Sequence, residues 1–571
     1  MNSQPGQQPK FLLIQAPIWD VATPPYSLAY VAGIIRSAGW DCRVLDLNIL
    51  LYRQANAADQ PAWGDLEFYR RTEAEAAAFY GKYAPVLERI FAEAFGRETF
   101  ELAGFSVNQQ SRYFSIWAAK LLSDLAPSLP VIFGGSECFS GEFGLRFLSR
   151  SDYRPDLILR GEAEIALPAF LREYARTRSC ETRLAGFGYE KQGELVDTGE
   201  PPLPDLQDGV TADYSHFDFK HYQDPGQFST FFTRGCINQC AFCNERSHFK
   251  RFRVRKPQSV IAEIKGALPQ AAKTGTAPVA RFNDSIFNGS LKAVGELCDL
   301  MIREQFGMVW GIQASFSRKI PRPLWEKMGA AGCRYCFWGF ENASQPVLDA
   351  MQKQFDLETV EEVLADAASQ GIHSYLPLIV GFPGETPDDI LNNIRFIRSH
   401  RNMPYVHFIY VSPIQVKPDS RLHRQAAEYG IQGLDEFEWY TNDGKNVRAT
   451  RVFRVFLIAN AMDNPDWNPE KTARLELLPH LDFNQFALAY ELAWCLCRFG
   501  AEAGDETGAQ EFISRWQEAP LGMKMPEYAE HWRPPAVPPI LGLDNWYLMD
   551  KNNRNAKARI IGRLFEYLGK I

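Results

Sequence analysis

Between residues 228 and 413, six short apolar runs alternate with stretches whose apolar residues recur at helical spacing. No other feature constrains the fold as tightly. The runs are "FSTFFTRG", "VARFND", "MVWGIQAS", "CRYCFWGFEN", "HSYLPLIVGFPGE" and "VHFIYVSP". The helical stretches fall near 257–272, 291–305, 322–331, 357–370 and 387–400. Strands joined through helices must pair in parallel, because each crossover brings the chain back to the same edge. The expectation for 231–420 is a partial or complete β/α barrel, its functional loops gathered at the carboxyl ends of the strands.

A second α/β rhythm occupies 1–175. "FLLIQA" (11–16) is followed by the helical "LAYVAGIIRSAGW", and "DCRVLDLN" (41–48) reads as the next strand. After a helical insertion at about 51–100, strands return at 102–107, 130–137 and near 157. This is a doubly wound, Rossmann-like domain, which takes ligands at the carboxyl ends of its strands. Residues 176–230 read as a connector with short strands. Beyond 420 the alternation stops, and 421–571 reads as a mostly helical C-terminal domain placed to cover a substrate. Its helices are expected at 484–500 and 555–569.

A net charge of −8 over 571 residues gives no general attraction to nucleic acid. The one basic stretch, "HFKRFRVRKP" (248–257), is interleaved with aromatics and suits a local anion site. No run approaches the ~18 apolar residues of a membrane span. The start of the chain lacks signal-peptide features, so a cytoplasmic location is expected. Eleven cysteines are too few for a disulfide scaffold, and clustered thiols in a reducing compartment point to metal or redox chemistry. The cluster is "TRGCINQCAFCN" (233–244), with Cys236, Cys240 and Cys243. Two readings of this trio stand open. Three cysteines with His248 make a zinc set; three thiolates alone hold an iron–sulfur cube with one open iron. "CRYC" (333–336) spaces its cysteines on opposite sides of a strand and reads as ordinary packing, as does "CLC" (495–497).

C-x-x-x-C-x-x-C after the first barrel strand, with Phe242 before the last cysteine, resembles the signature of the radical S-adenosylmethionine (SAM) superfamily. The resemblance implies a 4Fe–4S cluster on Cys236, Cys240 and Cys243 and SAM on its open iron. Cleavage of SAM then gives a 5′-deoxyadenosyl radical. Later segments in matching order imply further SAM contacts. These are Asn283 and Asp284 in "RFNDSIFN", Gln313 and Ser315 in "GIQAS", Glu341 in "WGFENASQPVLDAMQK", and Gly381 and Gly384 in "LPLIVGFPGET". Glu341, His407 and Tyr410 are also expected near the barrel mouth, within reach of substrate.

The first domain resembles the cobalamin-binding domain of one large subfamily, the cobalamin-dependent radical SAM enzymes, through residues 24–48, "GFSV", "VIFGGSE" and "LILRGEAE". The implied cobalamin contacts are Pro24, Pro25, Ser27, Leu28, Ser106, Asn108, Gln109, Gly134, Gly135, Ser136, Glu137, Gly161 and Glu162. The Asp-x-His-x-x-Gly of many corrinoid proteins is missing, and no histidine precedes His216. Cobalt therefore receives no imidazole from this domain; water or a weak contact from Ser106, Asn108 or Gln109 is the alternative. The resemblance implies a methyltransferase that moves a SAM-derived methyl group through methylcobalamin to an unactivated carbon. The alternatives are a cyclisation, ring contraction or rearrangement on the same cofactors, and a non-enzymatic corrinoid or iron–sulfur sensor. Its implied partners are a small-molecule or peptide substrate and an electron donor such as flavodoxin or ferredoxin, with neither nucleic acid nor membrane.

Overall fold

A computed structural model describes residues 8–64, 73–139, 144–207, 209–317, 319–436, 439–444 and scattered positions from 446 to 462. Part of the 51–100 insertion, "CLC", and the C-terminal helices expected at 484–500 and 555–569 lie outside the described residues. The chain divides into two compact units. The first takes residues up to 235, with 248–312 and 327–333; the second takes 236–247, 313–326 and the chain from 334 onward.

The first unit holds a seven-stranded sheet in the order β2-β1-β3-β4-β5-β6-β7. Its parallel strands are β1 (Lys10–Gln15), β2 (Asp41–Asp46), β3 (Leu102–Ser106), β4 (Val131–Gly134) and β5 (Leu157–Leu159). Strand β1 is buried over five of its six residues, as expected where helices cover both faces of a parallel sheet. The strand order reverses direction between β1 and β3, and such switch points open a crevice at the carboxyl ends. The expected helix after β1 is α1 (Tyr26–Ser37), and the insertion carries α2 (Leu47–Gln54) and α3 (Glu73–Arg97). Strands β6 (Phe187–Lys191) and β7 (Glu194–Asp197) come from the stretch read as a connector. They add to this sheet antiparallel, beside β5. That addition was invisible in sequence because "FGYEK" and "ELVD" are short and half polar.

All six strands expected beyond 227 are present. In the first unit β8 (Gln227–Thr230), β11 (Val279–Phe282) and the start of β12 (Val309–Ala314) pair in parallel. In the second, β13 (Cys333–Trp338), β14 (His373–Val380) and β15 (Val406–Pro413) do the same. The five expected helices alternate with them, including Pro257–Ala272 and Pro387–His400. Between β8 and β11, β9 (Thr233–Arg234) and β10 (Arg253–Val254) form a small antiparallel pair bracketing the cysteine segment. Among the described residues six such strands are present where a closed barrel has eight, the partial form of the expectation. The register of β14 against β15 slips between Leu376 and Leu378, at Pro377, which has no N–H for the ladder. Cys333 and Cys336 are both fully buried in β13, in keeping with packing. Among the described residues no helix is long and apolar enough to cross a membrane.

Candidate active site

In the first unit a groove of about 310 Å3 runs along one face of the sheet. Its floor follows from register: Leu13 pairs with Gly104, Gly104 with Ile132 and Ser106 with Gly134, so all five lie side by side. Glycines at 104 and 134 keep the floor low. One wall is α1, which presents Ser27, Tyr30, Val31 and Ile34, positions three and four apart on one helical face. Phe231 meets Tyr30 and Tyr26 edge to face at 5.4 and 5.8 Å, and Phe139 meets Phe249 at 5.3 Å. The lining is mostly apolar, with Ser27, Ser106, Thr233, Asn283 and Ser285 as its small polar members. At the rim Arg234 pairs with Glu162 and, at 2.5 Å, with Glu164, while Arg253 reaches Glu162 at 2.5 Å. The Arg234 guanidinium also lies over the Phe231 ring at 4.6 Å.

Of the cobalamin candidates, Ser27, Ser106, Gly134, Gly135, Gly161 and Glu162 line this groove. The other seven do not. Leu28 is fully buried, one residue and about 100° around α1 from the groove face. Pro24 and Pro25 are buried before that helix. Asn108 turns its carbonyl back onto the amides of Gln110 and Ser111. Gln109 is half-buried, Ser136 is exposed, and Glu137 pairs with Arg146 at 2.6 Å. Glu162, though at the groove, has its carboxylate committed to two arginines. Tyr26, Tyr30, Phe231, Arg234 and Phe249 escaped sequence reading. The signal for Arg234, its place two residues before the first cysteine, was present.

Asn283, a SAM candidate, also lines the groove. Its neighbour Asp284 is 1% exposed and accepts hydrogen bonds from the amides of Phe232, at 3.0 Å, and Thr233. It holds the strand end that leads to the cysteines. Burial pushes its pKa up to about 7, against the pull of those hydrogen bonds.

Gly235 opens the cysteine segment at φ +79; a Cβ there would lie 2.5 Å from the Arg251 carbonyl oxygen, so only glycine fits. In the second unit, Cys236, Cys240 and Cys243 follow on an irregular loop. Ala241 pins it: its amide donates to Met351 at 2.9 Å, and its carbonyl accepts from Leu422 at 2.7 Å. Ala241 is buried with Met351, Phe382, Leu422 and Trp439, and Phe242 packs against that cluster. The amides of Asn238 and Glu245 donate to Cys236 Sγ and Cys243 Sγ, both at 3.4 Å. Burial pushes all three thiols up, Cys243 to about 11, while the Lys353 ammonium pulls Cys240 back down.

That ammonium sits 3.0 Å from Glu341 Oε1. Glu341 holds φ +68, unusual for a residue with a side chain. Two backbone bonds to β14 impose it, from its amide to Pro377 and from Ile379 to its carbonyl. Gln313 is exposed near the end of β12 and Ser315 half-buried just beyond. Gly384 faces open space, whereas Gly381 is enclosed: a Cβ there would lie 2.4 Å from the Arg451 side chain. Its amide donates to Glu385 at 2.5 Å and its carbonyl accepts from Asn446 at 2.7 Å. His407 stacks on His373 and Tyr375 near the amino ends of β14 and β15, away from the carboxyl ends where the mouth lies. Tyr410 is exposed in mid-strand.

The donor sets suit both cofactors the motifs imply. Three thiols on one loop, two of them receiving backbone N–H groups, match a cluster with an open iron. His248, the fourth ligand of the zinc reading, packs in the first unit against Phe139. At about 310 Å3 the groove is too small to enclose a whole cobalamin but has room for its nucleotide arm, and its lining contains no histidine.

The chain matches no family model. It is 22% identical over 413 residues to an uncharacterized methyltransferase of Pyrococcus horikoshii, covering 71% of this chain and 78% of that one. It is 23% identical over 512 residues to the cytidylyl-2-hydroxyethylphosphonate methyltransferase of Streptomyces wedmorensis, covering 79% and 88%. Among solved structures it is similar to the cobalamin-dependent SAM radical enzyme OxsB with aqua-cobalamin bound. The TM-score is 0.62 and the identity 13%, with 99% of this chain and 81% of that one covered. In motif order, sequence and fold together, this chain is similar to the cobalamin-dependent radical SAM enzymes.

Proposed function

We propose that this protein is a cobalamin-dependent radical SAM C-methyltransferase acting on a small molecule, with reducing equivalents from an external flavodoxin or ferredoxin. The observation that carries it is the pairing, in one chain, of a three-thiol loop with a nucleotide-sized groove at a doubly wound sheet. When bound, the 4Fe–4S cluster supplies an electron to cleave SAM to a carbon-centred radical, and cobalamin supplies a carrier for a methyl group taken from a second SAM.

The chain's own residues do the rest. Cys236, Cys240 and Cys243 hold the cluster, and the Asn238 and Glu245 amides offset negative charge on its sulfurs. Phe242 and Ala241, set in a buried cluster, keep the loop from shifting. The groove takes the nucleotide arm of cobalamin against Gly104 and Gly134. Its aromatic wall of Tyr26, Tyr30 and Phe231 keeps water from the bound arm. Arg234, neutralised by Glu162 and Glu164, closes the rim without leaving an unpaired charge. Gln313, Ser315, Glu341 and Gly384 are the remaining candidates for contact with SAM.

The test is anaerobic reconstitution with iron, sulfide and aquacobalamin, followed by reductant and SAM. About four irons and one corrinoid per chain are expected. S-adenosylhomocysteine should form together with 5′-deoxyadenosine. 5′-Deoxyadenosine without S-adenosylhomocysteine would move the assignment to a rearrangement enzyme, and absence of both cofactors would end it.

A further inference from the structure

Behind the aromatic wall of the groove lies an ion pair that the proposed chemistry does not use. The side chains of Arg255 and Glu263 are 2% and 0% exposed and meet through two bonds, at 3.1 and 3.3 Å. A buried pair of this kind is seldom worth more to stability than apolar packing. Its other partners show what it holds. The Glu263 carboxylate accepts from the Tyr26 hydroxyl at 3.2 Å, the Thr230 hydroxyl at 2.5 Å and the Ala212 amide at 2.7 Å. The Arg255 guanidinium donates to the carbonyls of Phe231 at 2.8 Å and Val210 at 3.0 Å, and it lies over the Phe231 ring at 4.5 Å. The pair thus grips two of the three rings of the wall. Tyr30, the third, stacks on Tyr26 at 5.6 Å and meets Phe231 edge to face, so fixing those two fixes it as well.

We propose that Arg255 and Glu263 are positioning residues for the corrinoid: they set the aromatic wall at the spacing that admits the nucleotide arm, and with it the preference for a complete cobalamin over a corrinoid without that arm. This rests on the reading of the groove as the place of the arm. Rings that face a groove have no packing partner on that side, so contacts from behind must define where they stand. Bonds to a fully partnered buried pair are directional and strengthened by the low local dielectric, whereas apolar contacts alone let a ring slide. A wall held in place beforehand also lowers the ordering cost of binding.

The experiment uses the full chain with its cluster reconstituted and measures equilibrium binding of aquacobalamin and of cobinamide, a corrinoid that lacks the nucleotide arm. Melting temperature and the electron paramagnetic resonance (EPR) spectrum of the reduced cluster report the fold. The double variant Arg255→Met, Glu263→Leu removes both charges together and leaves neither ion unpaired. Its melting temperature should stay within about 5 °C of wild type. Cobalamin affinity should nonetheless fall about tenfold or more, while cobinamide affinity changes little. Tyr26→Phe, which deletes one hydroxyl and keeps the ring, should give a smaller loss with the same selectivity. If the double variant does not fold, Tyr26→Phe decides alone. Unchanged cobalamin affinity, or equal weakening of cobalamin and cobinamide, overturns the assignment and leaves the pair a role in the fold only. Wild-type protein that binds cobalamin no better than cobinamide would instead overturn the parent reading of the groove.

Discussion

The groove of the first unit and the cysteine loop of the second solve opposite problems. The groove is assembled from residues between Phe11 and Ser285, each contributing shape, and its charges are paired off at the rim. The loop packs its three chemical groups into eight residues, and one buried alanine and its two backbone bonds set its position. A thiolate ligand is specified by its identity, whereas a groove is specified by what is absent from it. Substitution should therefore act sharply and locally at the loop, and gradedly by volume at the groove.

The largest effect is expected at the loop. Replacing Cys236, Cys240 and Cys243 together by Ala should abolish iron binding and the EPR signal while corrinoid binding persists. Iron retained at more than about half the wild-type level would break the contrast. A smaller effect is expected at the groove. A Cβ at Gly134 meets only ordinary contacts, at 3.7 Å and beyond, so Gly134→Ala should be tolerated. Gly134→Leu should fill the floor and weaken corrinoid binding by about tenfold or more, on the scale of a few occluded methylene contacts. Iron content should stay unchanged. Equal corrinoid affinity in wild type, Ala and Leu forms would place the nucleotide arm elsewhere.

The smallest effect concerns Asp284, which secures the strand end that precedes the cysteine segment in the chain. Its pKa rises from 3.8 to about 7 on folding, chiefly through burial. The folded state thus binds its proton more tightly than the unfolded state. That contribution to stability is complete below about pH 4 and is lost as pH climbs through about 7. Asp284→Asn mimics the protonated acid. Its melting temperature should match wild type near about pH 5 and exceed it near about pH 8. Parallel melting curves across that range would show that Asp284 is ionised throughout.

Legibility in the sequence followed the same division. All six barrel strands and their helices were readable, since period and length are local properties. The three cysteines were readable because their spacing is the motif. Seven of the thirteen cobalamin candidates miss the groove because side-chain direction changes with every residue. Leu28 lies beside Ser27 in sequence but on another face of α1. Lys353 stood inside a quoted segment without being singled out; nothing near it in the chain announced a glutamate twelve residues earlier.

The amino-acid order by itself determined two α/β rhythms, a thiol trio and a domain without a histidine for cobalt. Each of these is written in neighbouring residues, where propensity, periodicity and donor chemistry act directly. Only the tertiary structure decided that Gly104 and Gly134 share a floor and that Arg234 closes a rim. It alone decided that Asp284 serves backbone amides and that Lys353 pairs with Glu341. Those facts depend on strand register and on burial, which arise when distant segments pack and one side of each must face inward.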